Sequence, residues 1–446
     1  MRRSFSIPSL VTLAAVLATG TACCWNFASA KAPDKPGSKN AANIEAERGE
    51  WSRWRGPNGD GISYETGLLS EWPEEGPPLA WHAKGFGKGM SSVAVKGGKV
   101  YTLGNLKGKT QLIAADIKDG AILWSTEVGS GSNPNCTPTV DGELVFTLTH
   151  GGDLACCKAD SGDLVWKKNF AQDFSGKMMS GWGYSESPLV DGDRVICTPG
   201  GQGALLVALD RKTGEKIWES AAPGDLGRKG KDGAGYASVV ISNGAGVKQY
   251  ITLTGRGIVS VDAATGKLLW HYNDVANGTA NIPTPIISGD YVFCSSGYGD
   301  GGTALLKITK DGSELKANEE YYFSAKEMQN HHGGMILLDG HVYMGHGHNN
   351  GFPLCVDLKT GKDAWRPGRG AGSGSAAIAY ADGHLYFRYQ DATMALIEAT
   401  PKDYVQKGKF KIATKNGESW PHPVIAGGKL YLRDQDSLLC YDIKQK

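Results

Sequence analysis

Short runs of alternating apolar and polar residues recur along the chain, and each is followed by the same punctuation. Ile258–Val261 forms one such run, an Asp follows, a Thr-Gly pair turns the chain, and a second run ends on tryptophan: IVSVDAATGKLLW. The arrangement returns as ADIKDGAILW (115–124), CKADSGDLVW (157–166), ALDRKTGEKIW (208–218) and CVDLKTGKDAW (355–365). Period-two runs of this length predict strands. The Asp carboxylate can accept from backbone N–H groups two residues on, and Gly supplies the positive φ of a tight turn. The closing Trp is a large apolar anchor.

Ahead of each unit lies a second hairpin signal with its own Gly turn. The series is SSVAVKGGKVYT (91–102), PTVDGELVFT (138–147), SPLVDGDRVICT (187–198), SVVISNGAGVKQYITL (238–253), TPIISGDYVFCS (284–295), MILLDGHVYMG (335–345), AIAYADGHLYF (377–387) and PVIAGGKLYL (423–432). The tryptophans at 124, 166 and 218 are 42 and 52 residues apart, the next is at 270, and one more unit fits before 365, near Tyr321–Tyr322. Lys409–Ile412 completes a further unit. A four-strand unit of about 40–50 residues, repeated, is the signature of a propeller blade. Eight hairpins predict an all-β, eight-bladed β-propeller of four-stranded antiparallel blades spanning residues 78–446. The last unit, ending at LLCYDI (438–443), lacks a fourth strand, while LAWHA (79–83) has fourth-strand character and no hairpin before it. Closure of the ring by this N-terminal strand removes an open sheet edge.

The DxxTGxxxW repeats resemble those of quinoprotein-type, PQQ-like β-propellers. Longer stretches, WSRWRGPNGDGIS (51–63), GWGYSESPLVDGDRVICTPGG (181–201), NHHGG (330–334), ADGHLYFRYQ (381–390) and LIEATPKDYVQKGKF (396–410), resemble a group of secreted bacterial proteins with that repeat. The resemblance runs from about Trp51 to the end. It implies the propeller fold, and by name it implies PQQ as cofactor and an oxidoreductase activity. The PQQ alcohol dehydrogenases carry a vicinal disulfide over the cofactor. Here Cys156–Cys157 falls inside a strand, where neighbouring side chains point to opposite faces, so the residues speak against PQQ.

Arg2 and Arg3, the apolar run Leu10–Ala18 and the small residues Ala28-Ser29-Ala30 read as an export signal over residues 1–30. Cleavage after Ala30 is favoured over lipidation at Cys23, whose preceding Gly20-Thr21-Ala22 lacks the usual Leu. A periplasmic or secreted protein follows, with no transmembrane segment once the signal is gone. Residues 31–50 are polar and read as a disordered linker. Residues 51–77, with Trp51, Trp54 and Trp72, read as an ordered arm lying across the propeller.

Without the signal, 45 basic residues face 46 acidic ones and no basic run remains, which excludes nucleic acid and anionic membrane as partners. Seven cysteines remain, at positions equivalent to small residues of other units, and read as buried fillers rather than bridges. The chain has no G-x-S-x-G elbow and no H-E-x-x-H. No carboxylate pair of glycosidase type is distinct, although Glu186 and Asp434 are candidates.

Residues that begin a blade's first strand, or lie in the loop between its second and third strands, line one mouth of a propeller's channel. Those positions hold Trp182, Tyr184 and Glu186, Arg256, the group His331, His332, His346, His348, Asn349 and Asn350, then Arg388, Gln390 and Asp391, and finally Trp420, His422, Arg433, Asp434 and Gln435. The core of the expected site is His331, His332, His346, His348, Trp182, Glu186, Arg388, Trp420, His422 and Arg433. Counting outward from the Asp339-Gly340 turn sets His331 opposite His348 and Gly333 opposite His346; the same count sets His422 opposite Arg433. Opposed histidines can share a metal or grip an anion or a sugar, so His331 and His348 are also the metal candidates. Two function classes result. One is a binder of a small polar molecule or glycan, with a quinoprotein-like oxidoreductase as its catalytic form. The other is a non-catalytic envelope scaffold that binds other envelope proteins and resembles the propeller lipoprotein of outer-membrane barrel assembly.

Overall fold

A computed structural model describes residues 49–446, so the export signal, Cys23 and the linker up to residue 48 lie outside the described residues. Eight four-stranded antiparallel sheets follow one another: residues 94–129, 139–169, 189–220, 240–272, 286–324, 335–365, 376–411, and 424–442 with the early strand β1 (Leu79–Lys84). The first strands of neighbouring blades touch, as Ala94–Lys96 does Thr139–Asp141, and Ile286–Ser288 does Met335–Leu338. The last blade is completed as expected: β1 runs antiparallel to Ser437–Asp442, with Trp81 opposite Cys440 and Lys84 opposite Ser437.

The repeated residues have a joint role. Asp116, Asp210 and Asp262 each accept from the backbone amide two residues on, as Asp210 Oδ1 does from Lys212 N at 2.9 Å, and the Gly takes positive φ, 73° at Gly214. The Trp of one blade then lies on the turn Gly of the next. A Cβ on Gly214 would come within 2.8 Å of the Trp166 ring, and Gly266 stands in the same relation to Trp218, Gly162 to Trp124 and Gly120 to Trp81. Trp166 Nε1 also donates 2.9 Å to the carbonyl of Arg211, just past the Asp. A side chain at that Gly would lift the indole off the neighbouring blade, so the motif joins blades as well as turning the chain.

Two units lack the Trp, and each substitutes another aromatic. In blade 5 the irregularity that follows the Trp elsewhere comes after Leu305↔Tyr321, so Tyr321 takes the Trp place; its hydroxyl donates 2.9 Å to Leu358 O, past the next blade's Asp. In blade 7 the place is Gly408, opposite Leu396, and Trp72 of the arm fills the space, within 2.6 Å of where a Cβ would be. The arm is held elsewhere by paired hydrogen bonds of Trp51 with Val95, both 2.8 Å, and by a bridge of Ile62 to Tyr380. Trp51 and Trp72 are buried, whereas Trp54 is only half-buried.

The seven cysteines of the described residues are buried and unbridged. Cys156 and Cys157 sit within the strand Asp153–Lys158, and burial pushes both thiols up to about 12.

Candidate functional site

Loops at one mouth of the channel enclose a cavity of about 390 Å³. Of the expected core, His331, His332, His348, Trp182, Trp420 and His422 line it, joined by Gln390 and Asn349. Glu186, Arg388, Arg433 and His346 do not. Five of the ten histidines line the cavity; His150 of blade 2 is one of them and His346 of blade 6 is not.

The histidines form an arc of rings. His331 and His348 stack with centroids 4.2 Å apart, and Tyr298 meets both edge-on at 5.1 and 4.9 Å. His332 lies 4.5 Å from His331 and 5.3 Å from Trp420, and His422 packs 4.4 Å from Trp54. The His331–His348 pairing is as the turn count expects, but not through a sheet ladder, which stops at Met335↔Met344. Asn330 explains the stop: its side-chain amide donates to the carbonyls of Gly334 and Gly345, 3.1 and 3.0 Å, which a longer ladder would need. Gly333 turns instead to blade 7, accepting from Ile378 N at 3.0 Å, and His346 is left against Gln329, outside the cavity. On the other side of the mouth, the ladder of the last blade stops at Val424↔Tyr431, so His422 and Arg433 are not paired across it. His422 faces the cavity while Arg433 faces away.

The arginines and Glu186 do structural work. Arg433 donates to Phe86 O and Gly87 O at 2.8 and 2.9 Å, fastening the last blade to the first. Arg388 reaches Ser419 Oγ, Pro421 O and Arg433 O, at 2.8, 2.8 and 2.6 Å, fastening blade 7 to blade 8. Glu186 is buried among Cys136 and Cys197, accepts from Thr198 N at 2.6 Å, and is pushed up to about 8 by burial. Alternation along a strand could not show which of these charged groups point between blades.

His150, Tyr298, Trp54 and Arg55 are among the lining residues that were not foreseen. His150 and Tyr298 follow the second strands of blades 2 and 5, where the loop rule would have found them. Trp54 and Arg55 come from the arm, which carries no repeat.

Burial dominates the electrostatics. It lowers His331, His332 and His422 to about 3, with neighbouring histidines or Arg55 adding to the effect, so all three rings are neutral near pH 7. Among the described residues Arg55 is the only Asp, Glu, Lys or Arg side chain lining the cavity. Six lining groups are buried without a hydrogen-bond partner: Arg55 Nε, His332 Nε2, His348 Nε2, His422 Nδ1, Trp420 Nε1 and Gln390 Oε1. Buried polar atoms normally find partners, so a cluster of unpartnered ones around one cavity marks a place where a polar molecule would fit. Three non-glycine residues at positive φ also stand here, Arg55 (59°), Tyr298 (65°) and His348 (52°), and such strain concentrates at ligand sites.

The arrangement suits a polar organic molecule better than a metal. Stacked imidazoles, 27° from parallel, aim their in-plane nitrogens side by side instead of converging. Among the described residues no group of three or more His, Cys, Asp or Glu is placed to hold a metal ion. A quinone paired with calcium does not fit either: among the described residues no carboxylate lines the cavity, so the cation would meet no charged oxygen ligand there.

Residues 72–149 and 132–367 match the family described as outer membrane protein assembly factor BamB. The outer membrane protein assembly factor BamB of Burkholderia pseudomallei (strain K96243) is 25% identical over 281 residues, 53% of this chain and 70% of that protein. Among solved structures, quinohemoprotein alcohol dehydrogenase from Comamonas testosteroni superposes with a TM-score of 0.63 at 14% identity, covering 92% of this chain and 83% of the other. BamB from Moraxella catarrhalis gives 0.51 at 14% identity, covering 76% and 95%. At such identities the structural likeness speaks for the fold alone.

Proposed function

The chain belongs to the PQQ-like repeat family described as outer membrane protein assembly factor BamB, and from that premise we propose that it is an exported propeller that binds a small polar ligand, a sugar or similar molecule, at the mouth of its channel. The observation that carries the reading is the ring of unpartnered buried polar atoms around an aromatic-walled cavity. Neutral imidazoles can donate at one nitrogen and accept at the other, which matches hydroxyl groups. Trp54, Trp182, Tyr298 and Trp420 offer faces for the apolar side of a sugar ring. Export rests on the residue 1–30 signal, and N-terminal sequencing of the secreted protein should begin at Lys31.

The test is a thermal-shift screen of the wild type and the His331→Ala/His348→Ala variant against metals and saccharides. A saccharide should raise the wild-type Tm and leave that of the variant unchanged. Equal gains in both proteins would put the ligand elsewhere. Turnover in a dye-reduction assay with PQQ and calcium would favour the oxidoreductase form instead.

A scaffold role in the envelope is the second reading, favoured by the family and by one surface. Ile122, Leu123, Leu164, Val165 and Ile217, each between 41 and 49% exposed, lie on the outermost strands of three consecutive blades. Apolar residues so placed suit a partner protein. Leu123→Ser with Leu164→Ser should release such a partner while leaving any saccharide-dependent shift intact.

A further inference from the structure

We propose that the ligand is a singly charged acidic saccharide of the uronate class, its carboxylate held by Arg55; this rests on the reading of the mouth cavity as a ligand site. Arg55 is 3% exposed and lines the cavity. Among the described residues its hydrogen bonds go to carbonyl oxygens, those of Asp60 (3.0 Å) and Met335, and both leave from Nη2. Nε donates to nothing. Asp60 lends its charge to the guanidinium without a hydrogen bond between the side chains, its Oδ1 accepting instead from Ile62 N at 3.0 Å. Burial lowers Arg55 only to about 10, so it is a cation at neutral pH. A buried cation with unfilled donors is costly unless an anion meets it.

Geometry keeps the approach open. Residue 334 is glycine; a Cβ there would lie 3.0 Å from His422 Cε1 and 3.5 Å from Arg55 Nη1, between the guanidinium and the cavity wall. The positive φ of Arg55 is held although it strains an arginine, which ties the side chain to this direction.

The charge count sets the class of anion. Among the described residues one guanidinium and no carboxylate line the cavity, and the lining histidines His331, His332 and His422 are neutral. Asp60, beside Arg55 but outside the lining, has its carboxyl pushed up by burial, so one negative charge on a ligand meets the guanidinium, whereas a doubly charged phosphate ester would bring a second charge that no cation among the described lining residues faces. Nη2 is taken by two carbonyls and Nε is closed off, which leaves Nη1, beside Gly334, for one carboxylate oxygen in a charge-assisted hydrogen bond. The remaining open atoms, Trp420 Nε1 as donor, Gln390 Oε1 as acceptor and the imidazoles as either, fit the hydroxyls of the same molecule.

Calorimetric titration with glucuronate, glucuronamide, glucose and glucose 6-phosphate tests this. Glucuronamide keeps the shape of glucuronate and removes its charge. Glucuronate should bind the wild type at least about tenfold more tightly than glucuronamide. Arg55→Gln should erase that preference, and Arg55→Lys should keep part of it. Should Arg55→Gln fail to fold, the wild-type comparison of acid against amide decides alone. Equal affinities for glucuronate and glucuronamide would overturn the anion assignment and leave the polar-ligand reading standing. Tighter binding of glucose 6-phosphate would overturn the single-charge assignment. No heat from any of the four saccharides at millimolar concentration would overturn both readings.

Discussion

The outer strands and the channel mouth use the same residue types in opposite ways. On the outer strands Trp166 covers Gly214, donates to Arg211 O and is 8% exposed, close to Trp218 and Trp365 at 7%, and the arrangement recurs from blade to blade. At the mouth Trp182 is 56% exposed and Trp420 lines the cavity, and neither has an equivalent in another blade. A residue that returns with every blade answers a need of the ring. A residue that occurs once and borders the cavity answers a need outside it.

The largest way to break the contrast is to open the ring. Removing residues 49–84 deletes β1 and leaves Ser437–Asp442 as a bare edge, and it also takes Trp72 from above Gly408. Such a protein should lose its cooperative melt and aggregate, which calorimetry and size-exclusion chromatography would detect. Next in size is Trp166→Ala, which should cost about 3–5 kcal/mol in denaturant titration, as deletion of a buried aromatic does. Trp182→Ala is the counterpart; it should change stability by less than about 0.5 kcal/mol while weakening saccharide binding. Should the two variants melt alike, the division of tryptophans into packing and binding sets fails. Gly214→Ala forces a Cβ against Trp166 at a φ of 73° and should cost about 1–3 kcal/mol.

Smaller effects come from pH, and they carry opposite signs. The folded chain holds His331, His332 and His422 neutral down to about 3, against 6.5 when unfolded, so the unfolded chain binds more protons in between. Their contribution to stability is complete above pH 6.5 and is lost as the pH falls toward 3. Glu186, raised from 4.5 to about 8, contributes stability that is complete below pH 4.5 and is lost as the pH rises to about 8. Melting curves across this range should separate the two: His332→Gln with His422→Gln should reduce the loss on the acid side, and Glu186→Gln the loss on the alkaline side. A triple variant whose pH profile matched the wild type would contradict both assignments.

How much was readable in advance follows from the same division. Repetition made the blades, the closing strand and the cysteine positions legible, because each turn and hairpin appears many times with the same spacing. Position in the unit made the histidine arc legible, since loops after second strands converge at one mouth. Direction was not legible. Arg388, Arg433 and Glu186 stand at mouth positions yet point between blades, where carbonyls or an amide receive them. His346 turned away because Asn330 ended a ladder, an event that depends on one side chain. Arg55 and Trp54 were missed because the arm has no repeat against which their placement could be judged.

A crystal structure of the wild-type protein grown with glucuronate addresses the site most directly. The sugar ring should occupy the mouth cavity against Trp420 and Trp182, with its carboxylate about 3 Å from Arg55 Nη1, ordinary hydrogen-bond range. Glucuronate bound on the outer strands, with only water beside Arg55 and the histidine arc, would contradict it.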